Sequence, residues 1–281
     1  MAPLENPLPA HVLPPLDSAG RAFAPARKIQ RYIHAEEQLK DQKVDQVTSD
    51  KWQYQYQEQE HPGADFDALA EGYDEAQRKF RDIQGEIREI LDFLDPRDDQ
   101  TLLEIGTGTG ELALAAAPRC ARVYAVDLSA GMLRYAKKNA ASRGVANVDF
   151  LQGGFLTYQH EGAPLDAIVT QLALHHLPDF WKQVALIRMA GMLKEGGKLC
   201  LRDVMFSFDV REYESFFQSW LEEVSTTVGS EFAGRVASHV QREYSTMDWI
   251  VEGMIERAGF KVERVRKIDG FMGLYLCRKM G

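Results

Sequence analysis

The sequence LLEIGTGTGELAL, residues 102–114, places a glycine-rich loop between a short apolar run and the start of a helical pattern. In a strand–loop–helix of this kind the loop N–H groups and the positive helix end face whatever lies above the sheet. An anionic or strongly polar ligand is expected there. Gly106, Gly108 and Gly110 permit positive φ and a close backbone approach that a side chain would resist. A turn that merely needs glycine explains an isolated G-x-G equally well. The next strand tips the balance. RVYAVD, residues 122–127, ends in Asp127, twenty-one residues after Gly106. A carboxylate at the carboxyl end of the neighbouring strand can accept both hydroxyls of a ribose. Asp127 could instead cap the following helix, but Ser129 can do that.

Outward from this unit, short apolar runs alternate with helical patterns, the signature of βαβ units around a parallel sheet. Five strands are read: 101–106, 122–127, 148–153, 165–171 and 198–204. Upstream, Phe80, Ile83, Ile87, Ile90, Leu91 and Leu94 share one helical face that Pro96 ends. Downstream come an aromatic helix carrying Phe216, Phe217 and Trp220 and another helix around Trp249–Ala258. FKVERVRKI and FMGLYLCRK follow, joined by Asp269-Gly270, a tight turn that predicts an antiparallel hairpin. The fold class is α/β: a doubly wound, mainly parallel seven-stranded sheet ending in an antiparallel hairpin, with an N-terminal extension.

Hydrophobic residues make up 45% and charged residues 27%, the balance of a soluble globular protein. The formal net charge of −9 disfavours nucleic acid as a partner. Cys120, Cys200 and Cys277 are far apart, so neither a disulfide framework nor a metal site is read from the sequence. With no signal-like start and no membrane-length apolar run, a cytoplasmic protein off the membrane is expected.

Residues 1–64 differ in character from the domain expected over 65–281, being proline-punctuated and then rich in charge and glutamine. In an extended conformation Trp52, Tyr54 and Tyr56 share one face. That face is expected to pack on the domain near Tyr73 or against a second copy in a homodimer, with a disordered tail as the alternative.

LLEIGTGTG, VDLSAGML, ALHHLPD, LKEGGKL and the terminal hairpin together resemble class I S-adenosylmethionine-dependent methyltransferases over about residues 64–281. The resemblance is strongest to the small-molecule branch that includes quinone-biosynthesis C-methyltransferases and uncharacterised bacterial relatives. It implies S-adenosylmethionine as cofactor, with Gly106, Thr107, Gly108 and Gly110 along its methionine part and Asp127 on the ribose. Leu128 and Met132 would sandwich the adenine, Glu104 would organise the loop, and Gln171 would line the methionine side. FDALAEGYDE resembles the helix that lays a tyrosine over the cofactor, which makes Tyr73 a candidate. One departure stands out: many relatives carry an acidic residue after the third strand for the adenine amino group, and this chain reads Gln152-Gly153-Gly154-Phe155. Backbone at Gly154 and Phe155 is left to bind the ring edge.

His175 and His176 follow the fourth strand, where such sheets place ligands, and either could face substrate or cap the helix near Asp179. In-line methyl transfer to a small-molecule acceptor is the expected chemistry. His176 is the first candidate base, Tyr244 the second, and Arg242 a further substrate contact. Two rival readings are weighed. A nicotinamide-dependent oxidoreductase fits poorly, because its fingerprint needs glycine where Glu111 stands. A regulatory module that binds the cofactor without turnover is the other.

Overall fold

The computed structural model describes residues 56–58, 65–79 and 81–281. Trp52, Tyr54, the rest of the chain before Tyr56, and Phe80 lie outside the described residues. The compact unit runs from Tyr56 to Gly281. Tyr56, Gln57 and Glu58, read from the sequence as extension, therefore belong to it.

Two short helices, α1 (Phe66–Leu69) and α2 (Tyr73–Arg78), precede α3 (Ile83–Leu94). α3 starts where the Asp82 side chain accepts from Gly85 N–H. It ends on Asp95 in the left-handed region, just before Pro96. Its buried residues Ile87, Ile90, Leu91 and Leu94 keep the three-to-four spacing of one face.

The alternating part follows: β1 (Thr101–Ile105), α4 (Glu111–Ala116), β2 (Arg122–Asp127), α5 (Ala130–Arg143), β3 (Val148–Gln152), β4 (Leu165–Gln171), α6 (Asp179–Met192) and β5 (Leu193–Phe206). After β5 come α7 (Tyr213–Thr227), α8 (Ser230–Arg242), β6 (Thr246–Met247), α9 (Asp248–Arg257), β7 (Phe260–Ile268) and β8 (Met272–Lys279). β5 begins five residues before the expected start, because Leu193 already pairs with Leu165 ahead of a register shift.

The strand order is β3-β2-β1-β4-β5-β8-β7, and the two-residue β6 pairs with the end of β5. This is the expected sheet with one short strand added. The pairs among β1 to β5 are parallel, whereas β8 is antiparallel to both β5 and β7. Asp269 and Gly270 both have positive φ, 50° and 77°, as a primed hairpin turn requires.

Strand residues alternate between two apolar layers. Leu103, Ile105, Ile168 and Leu199 pack with α6 and α9, while Leu102, Ala125, Val169 and Cys200 pack with α3 and α4. Full burial of each such Leu or Ile is worth about 1.5–3 kcal/mol, so covering both faces holds the strand ends in place. No helix among the described residues is long and apolar enough to cross a membrane.

Candidate functional site

The strand order reverses between β1 and β4, and ligands of open α/β sheets sit at the carboxyl ends of the strands beside such a reversal. Here the loops after β1 and β4 abut. A Cβ on Gly106, which has φ 80°, would stand 2.4 Å from the Ala173 methyl carbon. Gly108, φ 54°, has nothing within 4 Å of where its Cβ would be. The first glycine therefore serves packing and the second leaves room above the loop. Leu172, directly after β4, also adopts positive φ, 52°, and its N–H is fixed on the Arg202 carbonyl at 2.9 Å. A leucine held there costs on the order of 1–3 kcal/mol, and strain of this kind gathers at functional sites. The resulting cavity, about 770 Å³, is bordered by both loops, by the end of β2 and by α1, α2 and α3.

Every cofactor residue expected from the sequence borders this cavity: Tyr73, Glu104, Gly106, Thr107, Gly108, Asp127, Leu128, Met132, Gly154, Phe155 and Gln171, with the exception of Gly110. Gly110, φ 84°, is the turn into α4 and packs against Ala136. Asp127 accepts from Gly108 N–H at 2.7 Å and Ser129 N–H at 2.9 Å, while Ser129 Oγ caps α5 by accepting from Met132 N–H. Asp127 is thus the brace of the glycine loop and not the helix cap. Burial raises its pKa, although the two N–H donors oppose that. Glu104 is buried under the loop and accepts from Thr107 Oγ1 at 2.7 Å. Burial pushes its carboxyl up to about 8.

Two lining residues carried no local signal in the sequence. Arg81 pairs with Glu86 at 2.5 Å, and Glu86 also accepts from Gln171 Nε2 at 2.8 Å, which joins α3 to the end of β4. Glu58 is the more informative. It is 7% exposed, and its Oε2 accepts from Leu156 N–H at 3.0 Å. A Cβ on Gly154 would lie 2.7 Å from both of its carboxylate oxygens. The carboxylate missing after β3 is therefore matched by one brought in from a distant segment. Its Oε1 is buried without a hydrogen-bond partner among the described residues, and burial raises its pKa.

The two histidines part company. His176 borders the cavity, edge-on to Phe66 with ring centroids 5.5 Å apart. His175 is buried behind it, with Nδ1 2.5 Å from Asp203 Oδ1 and Nε2 2.9 Å from Glu243 Oε2. Neither caps α6, whose N-cap is Pro178 without a side-chain bond. Burial alone would lower the His175 pKa, but the two carboxylates outweigh it and raise it to about 9. Tyr244 does not border the cavity. Its N–H donates to the His175 carbonyl, its own carbonyl accepts from Lys182 Nζ, and its ring meets Tyr56 edge-on at 6.3 Å. Arg242 ends α8 exposed.

Residues 102–197 match the family model described as a methyltransferase domain. An uncharacterized methyltransferase of Geobacillus kaustophilus is 31% identical over 195 residues, covering 69% of this chain and 83% of that protein. Among solved structures, the YcgJ protein of Bacillus subtilis aligns with a TM-score of 0.56 at 18% identity, covering 70% of this chain and 99% of that one. Magnesium protoporphyrin IX methyltransferase from Synechocystis, solved with bound S-adenosylmethionine, aligns with a TM-score of 0.51 at 14% identity, covering 78% and 99%. The glycine loop braced by Asp127 at the sheet's reversal point, and a methyltransferase relative 31% identical over 69% of the chain, lead to one assignment: this chain belongs to the class I S-adenosylmethionine-dependent methyltransferases.

Proposed function

We propose that the methyl group goes to a small-molecule acceptor and that the cavity above β1, β2 and β4 holds donor and acceptor together. The observation that carries this reading is the cavity's charge. Seven acidic side chains line it, Asp67, Asp74 and Asp127 among them, against a single arginine, Arg81, among the described residues, an excess that remains with Glu104 protonated. Such a field favours a ligand with net positive charge, and S-adenosylmethionine carries a sulfonium and an ammonium against one carboxylate. The residues fit that cofactor. Asp127 suits the ribose hydroxyls, and Leu128 and Met132 the faces of the adenine. Glu58 Oε1 is a buried acceptor with no hydrogen-bond partner among the described residues, and the exocyclic amino group of adenine is a donor that suits it. Arg81, Tyr73, Gln171 and the opening over Gly108 suit the amino-acid end.

When bound, the cofactor supplies a methyl group already activated for displacement. The chain's task is then to align an acceptor and exclude water, and alignment alone can account for much of the rate. Phe66, Leu177 and His176 form an apolar wall with one polar edge, the make-up of small-molecule pockets. At about 770 Å³ the cavity has the volume of such sites. Its acidic lining opposes a polyphosphate acceptor.

The test is an unbiased metabolite extract supplied with isotopically labelled methyl donor. Label is expected in the small-molecule fraction with the native chain and much less with Asp127→Ala. Label found only in nucleic acid or protein would overturn the small-molecule assignment.

A further inference from the structure

Behind the cavity wall, three imidazoles from two segments of the chain surround the carboxylate of Glu243. Glu243 Oε2 lies 2.9 Å from His175 Nε2, 2.7 Å from His239 Nδ1 and 3.6 Å from His176 Nδ1. The rings are close, with His175 centroids 4.2 Å from His176 and 4.9 Å from His239. We propose that His175, His176 and Glu243, with His239 as a fourth donor drawn in on binding, form a binding site for one first-row divalent transition-metal ion.

Three features support the site. The first is spacing. Bonds of about 2.0–2.2 Å at a tetrahedral centre put neighbouring donor atoms about 3.3 Å apart; the His175 and His176 nitrogens lie 2.9 and 3.6 Å from Glu243 Oε2, and the donor atoms of these three residues are all within 4.8 Å of one another. The second is the outer support. Metal-bound imidazoles usually hand their other nitrogen to a carboxylate or hydroxyl that fixes the tautomer. His175 Nδ1 rests on Asp203 Oδ1 at 2.5 Å, and His239 Nε2 on Ser245 Oγ at 2.8 Å. Asp203 is itself held by the N–H groups of Leu174, His175 and Val204. The third is the donor set. Three nitrogens and one carboxylate suit zinc, cobalt or iron(II) and disfavour magnesium and calcium, which prefer all-oxygen shells.

Imidazole binds a metal ion only in its neutral form, so uptake at such a site weakens as pH falls. Because the donors come from the segment after β4 and from the end of α8, an ion ties that helix to the wall containing His176. His176 then acts as a ligand and not as a base. The sequence predicted no metal site because the adjacent pair His175-His176 and the i,i+4 pair His239 and Glu243 are far apart along the chain and meet only in the fold.

Cobalt(II) added to the chelator-treated, tag-free full chain tests this without reference to methyl transfer. A visible d–d band saturating at one ion per chain is expected, with a rise in Tm. His239→Ala and Glu243→Gln should each weaken binding more than tenfold, and Asp203→Asn about 10–100-fold. The absence of a saturable band in the native chain overturns the site. So does a band unchanged in both His239→Ala and Glu243→Gln. The native titration decides alone if either variant fails to fold.

Discussion

The carboxylate of Glu58 occupies the space that a side chain on Gly154 would take, its oxygens 2.7 Å from where that Cβ would stand. The two positions exclude each other: an acid at one requires a glycine at the other. Glu58→Ala should therefore weaken S-adenosylmethionine by about 1.5–3 kcal/mol, the worth of a hydrogen bond to a charged group. Gly154→Asp should also weaken it, through overlap and like charge. Glu58→Ala combined with Gly154→Asp should recover affinity relative to Glu58→Ala alone. Calorimetry showing no recovery in the double variant would separate Glu58 from the adenine edge.

Asp127 braces the glycine loop through Gly108 N–H, and it is the residue proposed for the ribose hydroxyls. Asp127→Ala should cost about 1.5–3 kcal/mol of cofactor affinity. Equal affinity in the two proteins, measured by calorimetry, would remove Asp127 from the site.

Gly106 and Gly108 should fail differently. Gly106→Ala combines positive φ with a 2.4 Å approach to Ala173, so a stability loss of about 2–4 kcal/mol in urea unfolding is expected. Gly108→Ala meets no neighbour and should lose only the left-handed term of about 1–2 kcal/mol, while its methyl narrows the ligand space. Similar stability losses for both, with cofactor affinity intact in Gly108→Ala, would contradict this division.

Burial raises the Glu104 carboxyl from an ordinary 4.5 to about 8. The folded state then binds more protons than the unfolded state between those values, so stability falls as pH rises through that window. The contribution is fully present below about 4.5 and lost above about 8. Glu104→Gln removes this slope while keeping an acceptor for Thr107. The Tm of Glu104→Gln minus that of the native chain should grow between pH 5 and pH 9, in the absence of ligand. A constant difference would show that Glu104 does not titrate there.

The sheet was readable because each strand is a short apolar run ended by a glycine, a proline or a helix start, and Asp269-Gly270 states its turn outright. The glycine loop and Asp127 were readable for the same reason, since their chemistry is written within one βαβ unit. Glu58, Arg81 and the group around Glu243 were not. Glu58 acts on Leu156 and His175 on Asp203, far along the chain, while Arg81 and His239 pair locally with Glu86 and Glu243 but meet the rest of their sites only through the fold. Gly154 did mark a missing acid, but not where its replacement comes from. The start of α3 was misplaced by three residues because Asp82, a cap, interrupts the apolar stripe that includes Phe80.

Gly106 packs against Ala173, so the floor of the cavity between β1 and β4 is closed by direct contact of the two loops. Another side is faced by α1 and α2, helices of four and six residues with no buried member of their own. Asp67 on α1 clasps the start of α5 through Ser129 Oγ and Gly131 N–H, and Asp74 on α2 holds Thr109 Oγ1 at 2.5 Å. The two short helices that border the cavity are thus fastened to the glycine loop and to α5 by side-chain carboxylates and not by an apolar face of their own.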